Sequence, residues 1–160
     1  MTIFRHRAVS LKIAEGNGMV PSRTIVLKRV YEEPATSDGV RILVDRLWPR
    51  GLTKQDARLD AWLRDLAPSN ELRKWFHVHP EQWREFRQKY VTELRKPLAT
   101  EALQKLYDML DREQTVSLLF ASKRTDQNNA TVLKEIVEGI KKPPKGTGEG
   151  RAQVRKRAKR

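Results

Sequence analysis

Asp45, Arg46, Trp48, Arg50 and Gly51 fall within one eight-residue run, DRLWPRGL, directly after the apolar stretch VRILV. An arginine presents a planar fork that holds phosphate or carboxylate through two hydrogen bonds and stays charged at neutral pH. Gly51 lets a backbone approach a ligand closely, and Trp48 offers a face for stacking on a planar group. A second polar run, SKRTDQNN, follows the apolar stretch TVSLLFA and adds Lys123, Asn128 and Asn129. Together these residue types describe a site for a small anion. Acid–base chemistry has three candidates, Asp45, Asp126 and His79, of which histidine is best matched to neutral pH. A structural alternative stands beside each. Asp45 and Arg46 could serve buried pairs, Trp48 and Pro49 could fill core, and the two asparagines could be helix caps.

Other chemistries are excluded or find no support. The chain has no cysteine, so disulfides, thiolate metal sites and a thiol nucleophile are absent. His77 and His79 share a face only on extended backbone and have no third histidine nearby, so no metal site is expected. No phosphate-binding P-loop, dinucleotide fingerprint, zincin or nucleophile-elbow motif occurs, and no cofactor is implied.

The elements that would position these residues follow from periodicity. Residues 24–31, TIVLKRVY, and 40–47 read as strands, the second dense enough in apolar residues to be an inner one. Thr53 caps a predicted helix carrying Leu59, Trp62, Leu63 and Leu66. Ser69 caps a short helix with Leu72, Trp75 and Phe76. Pro80 opens a longer helix with Trp83, Phe86, Tyr90 and Leu94, and Thr100 caps another through Leu110. The helical spacing of these aromatic residues assigns them to core rather than to a base-stacking surface. Residues 115–122 return to strand character, and a last helix carries Leu133, Ile136, Val137 and Ile140. Strand, helices and strand in that order predict an α/β fold: a small, mainly parallel sheet with helices packed on it, in a single domain. Ligands of such sheets bind beyond the carboxyl ends of the strands, which puts the loops after the second and third predicted strands across one crevice.

The net charge of +13 is concentrated at the ends. Residues 141–160 hold nine Lys or Arg against the single acid Glu149. A flexible extension is expected over residues 1–23, the folded domain over 24–142 and a disordered basic tail over 143–160. In that tail Arg151, Arg155, Lys156, Arg157, Lys159 and Arg160 are suited to nucleic acid or other acidic surfaces through counterion release, or simply to solubility. No run approaches the roughly 18 apolar residues of a membrane span, so no membrane partner is expected and the cytoplasm is the expected compartment.

Four motifs, RILVDRLWPRGLTK, WLRDLAPSNELRKWF, WREFRQKYVTEL and LLFASKRTDQNNATVL, resemble in order and spacing the bacterial YeaO-like branch of the DUF488 family over about residues 25–140. The resemblance implies a single α/β domain of uncharacterised function. Its matching positions are Asp45, Arg46, Trp48, Pro49, Arg50 and Gly51, then Pro68 and Ser69, then Lys123, Asn128 and Ala130. The chain departs from the family pattern at Arg124, where an acid often stands, and at Gln127 or Asn129, where histidines often stand, which weakens a metal- or histidine-centred mechanism. The expected function is binding of a phosphate- or nucleotide-like anion between the two loops, with catalysis left open; the alternative is a nucleic-acid accessory protein that uses its basic termini.

Overall fold

A computed structural model describes residues 23–139. The expected N-terminal extension up to Ser22 and the basic tail lie outside the described residues. Four strands, β1 (Thr24–Arg29), β2 (Val40–Leu43), β3 (Ala61–Trp62) and β4 (Thr115–Phe120), form one sheet of order β1-β4-β2-β3. All pairings are parallel, with Lys28 opposite Leu119 and Leu43 opposite Leu119 on the other side. The strand latest in sequence is thus inserted between β1 and β2. Its residues Val116 to Phe120 are all buried, as a strand covered on both faces requires.

Among the described residues there are five helices: α1 (Lys54–Ala57), α2 (Asn70–Val78), α3 (Trp83–Glu93), α4 (Pro97–Arg112) and α5 (Asn129–Glu138). Most of the apolar residues of α2–α5 join Ile42, Val44, Val116, Leu118 and Phe120 in the main core. Phe76, Trp83, Phe86 and Tyr90 of α2 and α3 pack ring against ring, so the aromatic run is core, as its spacing predicts. A smaller cluster of Val30, Leu43 and Leu119, flanked by Trp48, Leu52, Leu59 and Trp62, closes the other face. Among the described residues no helix is long and apolar enough to cross a membrane.

Three local expectations are corrected. The helix predicted from Thr53 to Leu66 stops at Ala57, where Arg58 turns into the left-handed region at φ 48°. Asp60 then exchanges hydrogen bonds with Arg41, its amide donating to the Arg41 carbonyl and its carboxylate accepting the Arg41 N–H, each at 2.8 Å. The chain zips onto the β2 edge as β3, and the apolar residues that mimic helical spacing divide between the two clusters. Second, α3 begins at Trp83 rather than around Pro80, and α4 begins with Pro97 in its first turn, where a missing N–H costs nothing, instead of at Thr100. Third, the strands are shorter at their carboxyl ends than the patterns suggest: β1 ends at Arg29, β2 at Leu43 and β4 at Phe120, and beyond β4 the Ala121 N–H turns to the Asp45 carboxylate.

Residues 30–39 link β1 to β2 without a helix, crossing β4 through the 3₁₀ turn Thr36–Asp38. A buried ion network holds this crossing. Asp38 accepts from Lys28 Nζ at 2.8 Å, from Arg41 Nη1 at 2.5 Å and from the Ala35 N–H at 3.0 Å. Ser117 Oγ donates to the Asp38 carbonyl at 2.8 Å, and Arg41 also donates to the Ala57 carbonyl at 2.8 Å. Burial alone would raise the Asp38 pKa, but the bonds from Lys28, Ala35 and Arg41 outweigh it and the net shift is downward.

Candidate functional site

Because β2 and β4 are adjacent and parallel, the segments 45–52 and 121–128 leave the sheet side by side at its carboxyl edge. Asp45 joins them. Its Oδ2 accepts the Ala121 N–H at 2.9 Å and its Oδ1 accepts Asn129 Nδ2 at 3.2 Å, while the same amide nitrogen donates to the Val44 carbonyl at 2.8 Å. The Asp45 carbonyl accepts from Trp62 Nε1 at 2.7 Å, which adds β3 to the junction. Burial pushes the Asp45 carboxyl above its ordinary pKa; the Ala121 N–H, the Asn129 amide and the Arg73 charge pull the other way without cancelling it.

Arg46 is half-buried and donates through Nε to the Pro68 carbonyl at 3.2 Å and through Nη2 to the Ala67 carbonyl at 3.1 Å. It thereby fixes the entry to α2. Trp48 donates Nε1 to the Leu52 carbonyl at 2.5 Å and meets Trp62 edge-on at 5.3 Å, so its indole is a half-buried part of the smaller cluster. Gly51 has φ 78°, and an added Cβ would find nothing within 4 Å. Its glycine therefore serves backbone conformation rather than close approach. Arg50 and Lys123 extend from the edge as exposed side chains, and so does Asp126. Asn128 caps α5 by accepting the Thr131 N–H at 3.0 Å and donates to the Arg124 carbonyl at 2.7 Å. Asn129 is the first residue of that helix, and its amide faces Asp45 and Val44 instead of capping.

His79 is not brought to this edge. It closes the far end of α2, with Nδ1 at 2.9 Å from the Trp75 carbonyl and its ring stacked on Trp75 at 5.2 Å. The length of that helix, about 13 Å at 1.5 Å per residue, separates it from Ser69. Among the described residues no group of three or more His, Asp or Glu is placed to hold a metal.

Several contributors escape a reading confined to the two polar runs. Arg29, at the carboxyl end of β1, donates to the carbonyls of Ala121 at 2.9 Å and Ser122 at 3.0 Å. Tyr31 donates its hydroxyl to the Arg50 carbonyl at 2.9 Å, so the loops after β1, β2 and β4 are all tied together. The rule that ligands bind beyond strand ends applies equally to β1 and was the available signal for both. Glu93 had none: from the end of α3 it accepts the Ser69 N–H at 2.8 Å and the Ser69 hydroxyl at 2.6 Å, 24 residues away in sequence. The Ser69 hydroxyl in turn accepts the Leu72 N–H at 3.1 Å and caps α2. Beneath these groups the Tyr90 hydroxyl donates to the Leu66 carbonyl; burial, with the charges of Asp45 and Glu93, raises its pKa well above the usual range.

Two protein carboxylates thus accept main-chain N–H groups where the chain enters a helix or leaves a strand. Glu93 covers the amide that opens α2, and Asp45 covers the amide that follows β4. These features define a small parallel α/β domain whose strand-end carboxylate cross-links loops. The chain belongs to the DUF488 family: a family model described as "Inactive DUF488-N3 subclade" matches residues 24–150. It is similar to the uncharacterized protein YeaO of Escherichia coli (strain K12), 44% identical over 116 residues that span 72% of this chain and 98% of that protein. It is also similar to the uncharacterized protein Rv3073c of Mycobacterium tuberculosis, 38% identical over 121 residues, 76% of this chain and 99% of the relative. No solved structure matches at a significant level.

Proposed function

We propose that the carboxyl edge is a non-catalytic binding site for a small anionic ligand of the phosphate- or nucleotide-like class, in a cytoplasmic protein. The observation that carries this reading is the commitment of both Asp45 oxygens to Ala121 and Asn129. A carboxylate with both oxygens engaged inward is poorly placed to move a proton, and its charge is turned away from the edge. Arg50, Lys123 and Arg124 remain exposed there against the single exposed acid Asp126 of the same loops. Arg46 fits this reading as a support, since it holds carbonyls rather than projecting freely. The word "inactive" in the description of the family model supports the absence of a reaction.

Inorganic pyrophosphate tests the proposal. It should raise the melting temperature of the full chain, with about 1.4 kcal/mol of added stability at roughly ten times the dissociation constant. The Arg50→Ala/Lys123→Ala double variant, altered only at exposed side chains, should keep its own melting temperature and lose the ligand-induced shift. An equal shift in both proteins refutes the site.

A further inference from the structure

Tyr31 is an exposed tyrosine whose hydroxyl is nonetheless bonded within the protein. A surface tyrosine ordinarily buries its ring and leaves its hydroxyl in water. Here the hydroxyl is consumed by the Arg50 carbonyl at 2.9 Å, while the residue stays 41% exposed. The Arg29 guanidinium lies over the ring at 5.1 Å and is itself bound to the Ala121 and Ser122 carbonyls. The ring is therefore held at its tip and along one face by groups that are fixed in turn, and little conformational freedom remains to be lost when something packs on it. Glu32, the acid beside it, turns its carboxylate onto the Arg29 N–H at 3.3 Å.

We infer that Tyr31 is a stacking platform for the base of a nucleotide unit whose phosphate is held by the neighbouring Arg50. The inference rests on the anion site proposed above and names the class of its ligand. Arg50 contacts the ring hydroxyl through its own main chain, so stacking surface and cation lie one residue's reach apart, as base and phosphate do in a nucleotide. Base–aromatic stacking tolerates any base, because every base has a π-face. The same unit occurs in a free nucleotide and along a single strand.

The test compares two fluorescent oligomers of about ten units on the full chain, one of thymidines and one of the abasic sugar–phosphate repeat, by anisotropy at low salt. The basic termini meet the same phosphate charge in both, so they do not contribute to the difference. Wild type should bind the base-bearing oligomer roughly tenfold more tightly or better. Tyr31→Leu should remove that preference, and Tyr31→Trp, with a larger ring, should keep or widen it. Thymidine monophosphate as competitor separates the sources: displacement at low concentration indicates the free nucleotide, and its failure beside tight oligomer binding indicates a strand. Equal binding of the two oligomers, or a preference that survives in Tyr31→Leu, overturns the platform while the anion site stands. Should neither oligomer nor pyrophosphate bind, the anion site itself is refuted.

Discussion

Replacing Asp45 by asparagine separates two opposed effects at the centre of the carboxyl edge. The carboxylate accepts bonds from Ala121 and Asn129, yet burial disfavours its charge and the net pKa shift is upward. A carboxyl with a raised pKa in the folded state binds its proton more tightly there than in the unfolded chain. Its ionised form therefore costs stability at neutral pH. That cost is relieved as pH falls through the folded pKa, and the relief is complete below the unfolded value of about 3.9. Asparagine keeps the shape and one acceptor but turns an NH₂ group towards a donor, so at pH 7 the variant should be about 1 kcal/mol less stable, while Asp45→Ala, which orphans the Ala121 N–H, should lose about 2 kcal/mol. Urea denaturation with unchanged m-values measures both. The decisive quantity is the stability gap between wild type and Asp45→Asn, in which all other titrations cancel. It should widen in favour of wild type as pH is lowered from 7 towards 4. A gap that narrows would mean that the hydrogen bonds outweigh burial and that Asp45 is a stabilised anion, which would refute the account of this junction.

Arg41→Met should cost about 3–5 kcal/mol in urea denaturation, because it leaves the buried Asp38 carboxylate and the Ala57 carbonyl short of a partner; a loss below about 1 kcal/mol would show the network to be dispensable. Gly39→Ala should abolish folding or cost more than about 3 kcal/mol, since its Cβ would lie 2.1 Å from the Thr115 carbonyl oxygen at a φ of +67°. Gly51→Ala, with nothing within 4 Å and only the left-handed φ to oppose it, should cost about 1 kcal/mol in thermal denaturation; similar losses at the two glycines would contradict the packing at Gly39.

The two internal carboxylates give a physical reason why the proposed site would bind without reacting. Asp45 and Glu93 each accept a backbone N–H at a loop or helix entry. Those donors are satisfied inside the molecule and are not available to stabilise charge that develops on a substrate. Tyr31, Arg50 and Lys123 are exposed at that edge, and the proposed recognition rests on them.

Much of this protein was legible locally. The aromatic core and the Thr53, Ser69 and Asn128 caps follow from side-chain period and cap chemistry, which act over a few residues, and the parallel α/β class and the convergence of the two polar loops follow from crossover rules, which need only the order of the elements. The false helix over 53–66 arose because Leu59, Trp62, Leu63 and Leu66 satisfy a helical period, whereas Asp60 pairs with the edge of β2, an interaction that spans 19 residues. Period alone cannot weigh a local pattern against a distant strand edge. The roles of the site residues were beyond it for the same reason. Whether an arginine faces solvent or a carbonyl depends on what the fold places opposite it: Arg46 meets Ala67 and Pro68, while Arg50 meets open surface, although both stand in one motif. The order of residues determined which chemistry could gather at the sheet's carboxyl edge. Only the insertion of β4 between β1 and β2 decided which of those groups are used up inside the protein and which remain exposed at the edge.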